Sequence, residues 1–273
     1  MSKKIQGQEP NKQLEGFDKL EVISSFKEAN QLLLKLGCDI SELKEENHDH
    51  IIKYPRTKHF HNLGAATRDD LILDKTTIKG FLNPPDVYLE EKIDGANMGL
   101  SILDYKIIAQ NRSHYVNSKY HFQFKLLDQW ILDHSADLWE ILEDETTILY
   151  GEWVYAKHSI HYTELPDYFV AFDLYDKTEG RFYSCKRFEE KLAGTTIKII
   201  PVIKKDLFTE VSQIVDYVKT KSQFYNGPVE DVYLRKCNEK WLEKRSKIVR
   251  HDFLSGNEHW SKGIIERNHI KRI

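Results

Sequence analysis

Short strand-like runs follow one another through most of this chain, with no regular alternation of strand and helix. After Tyr54 we find eight runs rich in β-branched and aromatic residues and bounded by turn-forming residues. They cover residues 87–93, 98–103, 106–110, 147–155, 168–174, 181–184, 229–235 and 247–249. Parallel strands need long, usually helical crossovers, and few helical patterns separate these runs. The pattern therefore predicts an α+β fold with mainly antiparallel sheets and flanking helices.

Helical periodicity marks the other parts of the chain. Within the strand-rich region we predict helices over residues 120–141, 188–192 and 207–220. An earlier helical pattern covers residues 14–37, in a section whose composition differs from that of the strand-rich region. We therefore predict three parts: a helical N-terminal extension (1–48), one main domain (49–253) and a C-terminal tail (254–273).

Composition excludes several classes of protein. The chain carries 40 basic and 43 acidic side chains, which excludes a strongly basic chromatin-type protein. Its three cysteines form no CxxC pair, so neither a disulfide framework nor a zinc ribbon is indicated. No apolar run approaches the ~18 residues of a membrane span. We expect an intracellular, monomeric protein without a membrane anchor.

A lysine at the end of a strand is the strongest chemical signal. The sequence lacks the common phosphate-loop, dinucleotide-binding, zinc-protease and serine-hydrolase motifs. Lys92 ends an apolar strand and stands directly before a glycine turn, in the run EKIDGAN. Strand alternation places Lys92 and Asp94 on one side, so the amine can reach a ligand while its stem is fixed. Taken alone, the position equally suits a surface lysine paired with Glu91 or Asp94.

Five further sequence elements come after Lys92, and they favour a ligand-binding lysine over a surface lysine in a salt bridge. They are NRS at 111–113, YGEW at 150–153, FVAFDLY at 169–175, EDVYLR at 230–235 and RSK at 245–247. Together with KIDG at 92–95 they resemble, in order, the motifs of the covalent nucleotidyltransferases, which include ATP-dependent RNA and DNA ligases and mRNA capping enzymes. The AFD at 171–173 and the cationic run at 241–253 are most similar to RNA ligases of the phage RNA-ligase-2 type.

The resemblance implies an activity and a set of residues. The fold would be a nucleotidyltransferase domain, ATP-grasp-like, and without an OB-fold because only 20 residues follow Phe253. Lys92 would take up AMP from ATP, with Lys247 and Arg245 completing the catalytic set. Glu230 would bind Mg²⁺ or Mn²⁺. The nucleotide-binding residues would be Glu91, Asp94, Gly95, Asn97, Arg112, Glu152, Phe172, Glu230 and Lys247.

The resemblance also implies individual roles within this set. Arg112 would contact the nucleotide, Glu152 the ribose hydroxyls, and Phe172 the face of the adenine. From the residues alone, Glu152 and Glu230 could instead pair with Arg112 or with the cations at 235–247, and Phe172 could be an ordinary core residue. Two positions depart from the family pattern: Asp231 follows the metal-binding glutamate where a glycine is usual, and Arg245 replaces a lysine. Arginine keeps the charge but cannot carry a proton, so any such role falls to Lys247.

The cationic run matters because a lysine must lose its proton before it can act as a nucleophile. An ordinary lysine has a pKa of ~10.4 and is almost entirely protonated at neutral pH. Neighbouring cations, a metal or partial burial must lower that pKa before Lys92 can attack a phosphate. Residues 235–251 carry seven Lys or Arg side chains against two glutamates. Alone, such a run is also typical of a solvated face. Tyr54, Arg56 and Lys58 form a smaller basic-aromatic patch, suited to nucleic-acid contact.

These observations predict an ATP-dependent RNA ligase that joins 3′-hydroxyl and 5′-phosphate ends of RNA through lysyl-AMP and 5′-adenylylated RNA. A minimal DNA ligase is the near alternative. A nucleic-acid-binding module that has lost activity is the alternative from another class of protein. A covalent adduct with labelled ATP separates the ligases from the inactive module.

Overall fold

The computed structural model describes residues 51–61, 71–250 and 265–271 of the protein. The predicted N-terminal extension and its helix, and most of the predicted tail, lie outside these residues. The described residues form eleven strands: β1 (Val87–Lys92), β2 (Ala96–Leu103), β3 (Lys106–Gln110), β4 (Tyr115–Val116), β5 (Thr147–Trp153), β6 (Phe169–Asp176), β7 (Arg181–Phe182), β8 (Lys198–Ile199), β9 (Val202–Asp206), β10 (Asp231–Cys237) and β11 (Leu242–Val249). Five α-helices accompany them: α1 (Lys75–Phe81), α2 (Leu127–Asp133), α3 (Ser135–Ile141), α4 (Cys185–Leu192) and α5 (Val211–Val215).

The strands form two sheets, and the expected mixed fold with antiparallel sheets is confirmed. The first sheet has the order β11-β10-β1-β9, and every pairing in it is antiparallel. The second sheet has the order β4-β3-β2-β5-β6-β7, again antiparallel, with β8 added beside β6 as its one parallel pairing. Lys92 is the last residue of its strand in the first sheet, and the chain then enters the second sheet at Ala96.

Two predicted helices are divided in the structure. The predicted 120–141 helix consists of a 3₁₀ turn (Phe122–Phe124), α2 and α3. The break between α2 and α3 falls at His134, whose backbone leaves the helical region and whose ring stacks on Trp130 at 4.2 Å. The predicted 207–220 helix is likewise α5 followed by a 3₁₀ turn (Asp216–Lys219). Each described helix is too short to span a lipid bilayer.

Strand alternation gives the sheets apolar and polar faces. On β1 and β10, Val87, Leu89, Val232 and Leu234 pack with α1 and α5 into one core. The intervening residues therefore project from the opposite face of the first sheet. In the second sheet, Leu149 and Trp153 join a core that includes residues of α2, α3 and α4. The alternate residues Ile148, Tyr150 and Val154, with Phe172 of β6, join a separate core that includes Tyr54 and Ile93.

Candidate active site

Cross-strand pairing collects the polar residues of the first sheet on one face. Lys92 lies opposite Asp231. Tyr233 lies opposite Lys247, and Arg235 lies opposite Arg245. Side chains two residues apart on a strand share a face, so Lys247 and Arg245 project on the same side, as predicted. The face of the first sheet opposite its apolar core is therefore strongly charged.

Lys92 ends in a cluster of carboxylates. Its Nζ donates to both carboxylate oxygens of Glu230 at 2.7 Å, and Asp231 Oδ2 lies 3.8 Å away. Glu230 is only 5 % exposed and Asp231 only 2 %, while the side chain of Lys92 is 22 % exposed. The amine is thus held by buried acids but remains open to the adjoining cavity.

This cluster changes the expectation for the pKa of Lys92. Burial alone lowers that pKa, but the charges of Glu230 and Asp231 outweigh burial and hold it well above its ordinary value. From the sequence we expected neighbouring cations, a metal or partial burial to lower this pKa, but the two acids raise it. A cation bound by the two carboxylates would compete with Lys92 for them and would shift its pKa back down.

A cavity of about 240 Å³ opens beside the Lys92 amine. It brings together three of the predicted site residues: Lys92 of β1, Lys247 of β11 and Arg112 of the loop after β3. Such a group of cations suits the oxygens of a phosphate chain. The remaining lining residues are Tyr54, Pro55, Arg56, Thr57, Leu71 and Tyr233. The segment 54–57 was noted in the sequence as a basic-aromatic patch, but nothing there placed it against Lys92.

A second cavity, of about 460 Å³, adjoins the first at Arg112. It is lined by the predicted residues Gly95, Asn97, Arg112 and Glu152. Asn97 of β2 lies opposite Glu152 of β5, so the register of the second sheet brings these two side chains to one place. The two cavities therefore share the side chain of Arg112. We call them the lysine cavity and the larger cavity.

Glu152 is a carboxyl group in a largely buried position. The pKa of Glu152 is raised from 4.5 to about 7, because burial and the charge of Asp94 raise it more than Lys92 and Arg112 lower it. Between about pH 4.5 and 7, Glu152 therefore keeps its proton in the folded protein but has lost it in the unfolded chain. The free energy of unfolding is therefore higher below this pH range and falls as the pH rises through it.

The substitution Glu152→Gln tests this shift. Glutamine has no ionisable group. We therefore expect the variant to become more stable relative to the parent as the pH rises from 5 to 8. The upper bound is about 3 kcal/mol, because one pKa unit corresponds to ~1.4 kcal/mol. Thermal melting of both proteins across this range measures the difference. A difference in melting temperature that is constant with pH would contradict the raised pKa.

Gly95 permits a close approach of the turn after Lys92 to β5. A Cβ atom at this position would lie 2.7 Å from the carbonyl oxygen of Trp153, 2.8 Å from Val154 Cγ1 and 3.1 Å from Glu152 Cγ. The first two distances are shorter than Cβ atoms show in real structures. The backbone would therefore have to move if Gly95 carried a side chain. The family resemblance assigned Gly95 to nucleotide binding. In the structure, its lack of a side chain leaves room for the Trp153 carbonyl and the Glu152 side chain next to the turn after Lys92.

We expect Gly95→Ala to destabilise the protein by about 1–3 kcal/mol, as overpacking typically does. It should also displace Glu152 and weaken any ligand bound there. Gly80→Ala is the matched control, because its added Cβ meets only the flexible end of Lys244. Denaturant unfolding of both variants checks the expectation. Equal stability of the two variants would show that the turn at Gly95 is not tightly packed.

Three other predicted residues lie apart from the lysine cavity. Asp94 holds the loop after β5: its Oδ2 accepts from Ser159 N–H at 2.6 Å. Glu91 is buried and projects on the opposite side of β1 from Lys92, where it accepts from Ser222 Oγ and Gln223 N–H. Phe172 is 8 % exposed and joins the core around Tyr54. Nucleotide contacts by these three residues remain predictions.

Arg245 and Arg235 belong to a buried ionic network between the sheets. Arg235 is 2 % exposed and donates to Glu90 of β1 and, at 2.5 Å, to Asp173 of β6. Asp173 also accepts from Tyr54 Oη at 2.5 Å and lies 3.7 Å from Arg245. The Arg245 guanidinium lies over the Tyr54 ring, 4.4 Å from its centroid. The network therefore fixes segment 54–57 against the first sheet.

Glu230 and Asp231 have the donor chemistry for a hard divalent cation. Asp231 Oδ1 is buried without a hydrogen-bond partner in the described part of the chain. Carboxylate oxygens are the ligands that Mg²⁺ and Mn²⁺ favour. Across residues 51–61, 71–250 and 265–271, no group of three His, Cys, Asp or Glu residues is close enough to enclose an ion. The pair thus fits an ion that keeps several waters or phosphate oxygens in its shell, as Mg²⁺ does.

A strand-end lysine between paired acids and a cationic cavity defines a candidate centre for phosphate chemistry, and a family model agrees with it. The model of the RNA ligase family matches residues 85–249, more than half of the chain. The chain therefore belongs to the RNA ligase family, which confirms the family resemblance found in its motifs. No curated protein sequence matches the chain.

Solved structures with the same fold include variants of an RNA ligase from Naegleria gruberi. One, with ATP and Mn, matches with a TM-score of 0.54 and 15 % identity, covering 75 % of this chain and 58 % of that chain. Another, with AMP and Mn, matches with a TM-score of 0.53 and 16 % identity, and the match covers 75 % of this chain and 57 % of that chain. This chain thus spans less than two thirds of the length of the ligases it matches.

Proposed function

We propose that this protein is an ATP-dependent RNA ligase whose described core is a nucleotidyltransferase domain. It joins a 3′-hydroxyl to a 5′-phosphate through lysyl-AMP and 5′-adenylylated RNA. The observation that carries the proposal is the position of Lys92, whose amine reaches a cavity that also holds Arg112 and Lys247. Family membership and the ATP and Mn in the names of the Naegleria structures support it.

In the first step the Lys92 nitrogen attacks the α-phosphorus of ATP. A nitrogen–phosphorus bond forms, the bond from the α-phosphorus to the bridging oxygen breaks, and pyrophosphate leaves. Lys92 must first lose a proton to solvent, because its ammonium form, which Glu230 holds at 2.7 Å, has no free electron pair. Arg112 and Lys247 offset the charge that develops on the phosphate oxygens.

A divalent cation would supply further positive charge to the phosphates when bound. Glu230 and Asp231 would hold it. Their engagement would also remove the two charges that raise the pKa of Lys92. The same carboxylates thus hold the amine before ATP binds and would release it afterwards.

The later steps reuse the same side chains. A 5′-phosphate oxygen of RNA attacks the lysyl-AMP phosphorus, which breaks the nitrogen–phosphorus bond and frees Lys92. The 3′-hydroxyl of the second end then attacks the 5′-phosphate, and AMP leaves. Glu152 and Phe172 are the proposed contacts for the ribose and the adenine. Arg112 borders both cavities and so can contact AMP on one side and the RNA phosphate on the other.

Incubation with ATP labelled at the α-phosphate, with Mg²⁺ or Mn²⁺, tests the proposal. We expect a covalent adduct that survives denaturing gel electrophoresis, with ATP preferred over GTP and NAD. Sealing of RNA, DNA and mixed ends by the same preparation then defines the substrate. Absence of an adduct from the folded protein would favour the inactive binding module, and preferential sealing of DNA would favour a DNA ligase.

A further inference from the structure

Segment 111–125, between β3 and α2, has a composition unlike the rest of the chain. It contains Arg112, Lys119 and Lys125, two histidines and four aromatic residues, and it has no carboxylate. The chain as a whole has more acidic than basic residues, so this stretch is a local reversal of charge. Two of its rings are strongly exposed: Tyr120 to 49 % and Phe122 to 46 %.

The two exposed rings are held in place on one side. Tyr120 Oη lies 3.3 Å from His114 Nδ1, and the Tyr120 ring packs against Phe124 at 6.0 Å. The Phe122 ring lies 5.9 Å from that of Tyr155, and Lys125 Nζ lies 5.7 Å from the Phe122 centroid. A ring that is fixed beforehand loses little conformational entropy when a flat ligand stacks on it.

The backbone of this segment is anchored next to Glu152. Trp153 Nε1 of β5 donates to the carbonyl oxygen of Gln123 at 2.5 Å. Ser118 N–H donates to Asp128 at the start of α2, which fixes the turn before Tyr120. Gln123 and Phe124, together with Arg112, line the larger cavity. The exposed rings therefore belong to a segment that lines the larger cavity, and Arg112 of the same segment also lines the lysine cavity.

We propose that Tyr120, Phe122, Lys119 and Lys125 form a platform for an unpaired RNA strand whose terminal phosphate reaches Arg112 at the edge of the larger cavity. The inference rests on the proposed ligase function and adds a substrate class to it: single-stranded RNA ends rather than nicks in a duplex. Bases stack on exposed aromatic rings only when they are unpaired. The lysines contact the phosphates between those bases.

Single exposed aromatic residues are common on protein surfaces and by themselves indicate nothing. Here two fixed rings, a carboxylate-free cationic segment and an adjoining cavity coincide within fifteen residues. The cavity, of about 460 Å³, is within the range of volumes that hold small ligands. It is therefore large enough for the nucleotide that Glu152 and Arg112 would hold, while Tyr120 and Phe122 do not line it and can contact an unpaired strand that ends at Arg112.

Binding of a short single-stranded RNA with an internal fluorophore, measured by anisotropy, tests the aromatic part of the platform. We expect the double variant Tyr120→Ala with Phe122→Ala to bind about 10–100-fold more weakly than the parent. Substituting both residues by tryptophan should restore the affinity, because stacking needs only a flat ring. Tyr105→Ala is the matched control: this tyrosine is 81 % exposed, at the far end of the β2–β3 hairpin, and should have no effect.

The lysines are tested by the salt dependence of the same binding. Each phosphate contact to a single strand contributes about −0.7 to the slope of log affinity against log salt. The double variant Lys119→Ala with Lys125→Ala should therefore reduce the slope by about 1.4. The aromatic double variant should weaken binding with an unchanged slope. This difference separates stacking from electrostatic contact.

Two results would overturn the platform: parent-like affinity in the aromatic double variant with parent-like melting, or tighter binding of a nicked duplex than of the single strand. Failure of the ligase function itself would look different, since the parent protein would then form no adduct with labelled ATP. An adduct in the parent together with parent-like RNA binding in the aromatic variant would refute the platform alone.

Discussion

Lys92→Arg is expected to abolish transfer of AMP to the protein. A guanidinium remains protonated at any usable pH, so it has no free electron pair with which to attack a phosphate. The substituted side chain can still pair with Glu230 and Asp231, which hold Lys92 in the parent. The fold should therefore be retained while the chemistry is lost. Radioactivity carried by the protein band after incubation with α-labelled ATP and Mg²⁺ measures the effect.

Lys106→Arg is the control for this experiment, because Lys106 is an exposed lysine of β3 that lines neither cavity. It should label like the parent. A parent-like yield of adduct from Lys92→Arg would show that another residue carries the nucleotide. Peptide mapping of the labelled parent protein then identifies that residue directly.

The strands and the principal residues of the site could be predicted because both depend on local pattern. Period-two alternation shows which side chains share a face, and it correctly placed Arg245 and Lys247 together on β11. The order of motifs predicted which strands carry the candidate residues. Lys92 and Lys247 are far apart in sequence, yet they reach one cavity because β1 and β11 both pair with β10.

Other features depend on contacts between distant segments and could not be predicted. Segment 54–57 lines the lysine cavity because Tyr54 binds Asp173 and packs against Arg245, and no local pattern encodes either contact. The high pKa of Lys92 likewise depends on Glu230, which lies more than a hundred residues later in the chain. The predicted 120–141 helix is divided at His134, which lies 3.2 Å from Asp167 of a distant loop, and no local pattern encodes that contact.

Cys185 and Cys237 are a further example. They appeared unrelated in sequence because 52 positions separate them, yet their Sγ atoms lie 3.1 Å apart in the structure. The reason is topological: Ser184, which caps α4, is held by Lys240 and Glu239, in the turn after β10. Counting cysteines and their spacing therefore could not show that two of the three are neighbours.

Lys247→Ala is expected to lower the rate of adenylylation by about 10²–10³-fold, the typical result of removing one electrostatic donor from a phosphate transition state. Lys247 lines the same cavity as the Lys92 amine and Arg112. Its compact ammonium can approach a phosphate oxygen closely. Single-turnover formation of lysyl-AMP, measured with saturating ATP on variants that melt like the parent, reports this step without contributions from RNA binding.

Arg245→Lys is the informative companion, because its expected effect is small. The Arg245 guanidinium lies over the rings of Tyr54 and Phe182, 4.4 and 4.7 Å from their centroids, and 3.7 Å from Asp173. A lysine keeps the charge near Asp173 and restores the residue usual in the family, while it loses stacking worth about 0.5–1 kcal/mol. We therefore expect a rate within about tenfold of the parent. If Lys247→Ala were equally mild, the cationic strand would be a solvated face, and the charge that opposes the phosphates would have to come from Arg56 and Arg112, the other cations of the cavity.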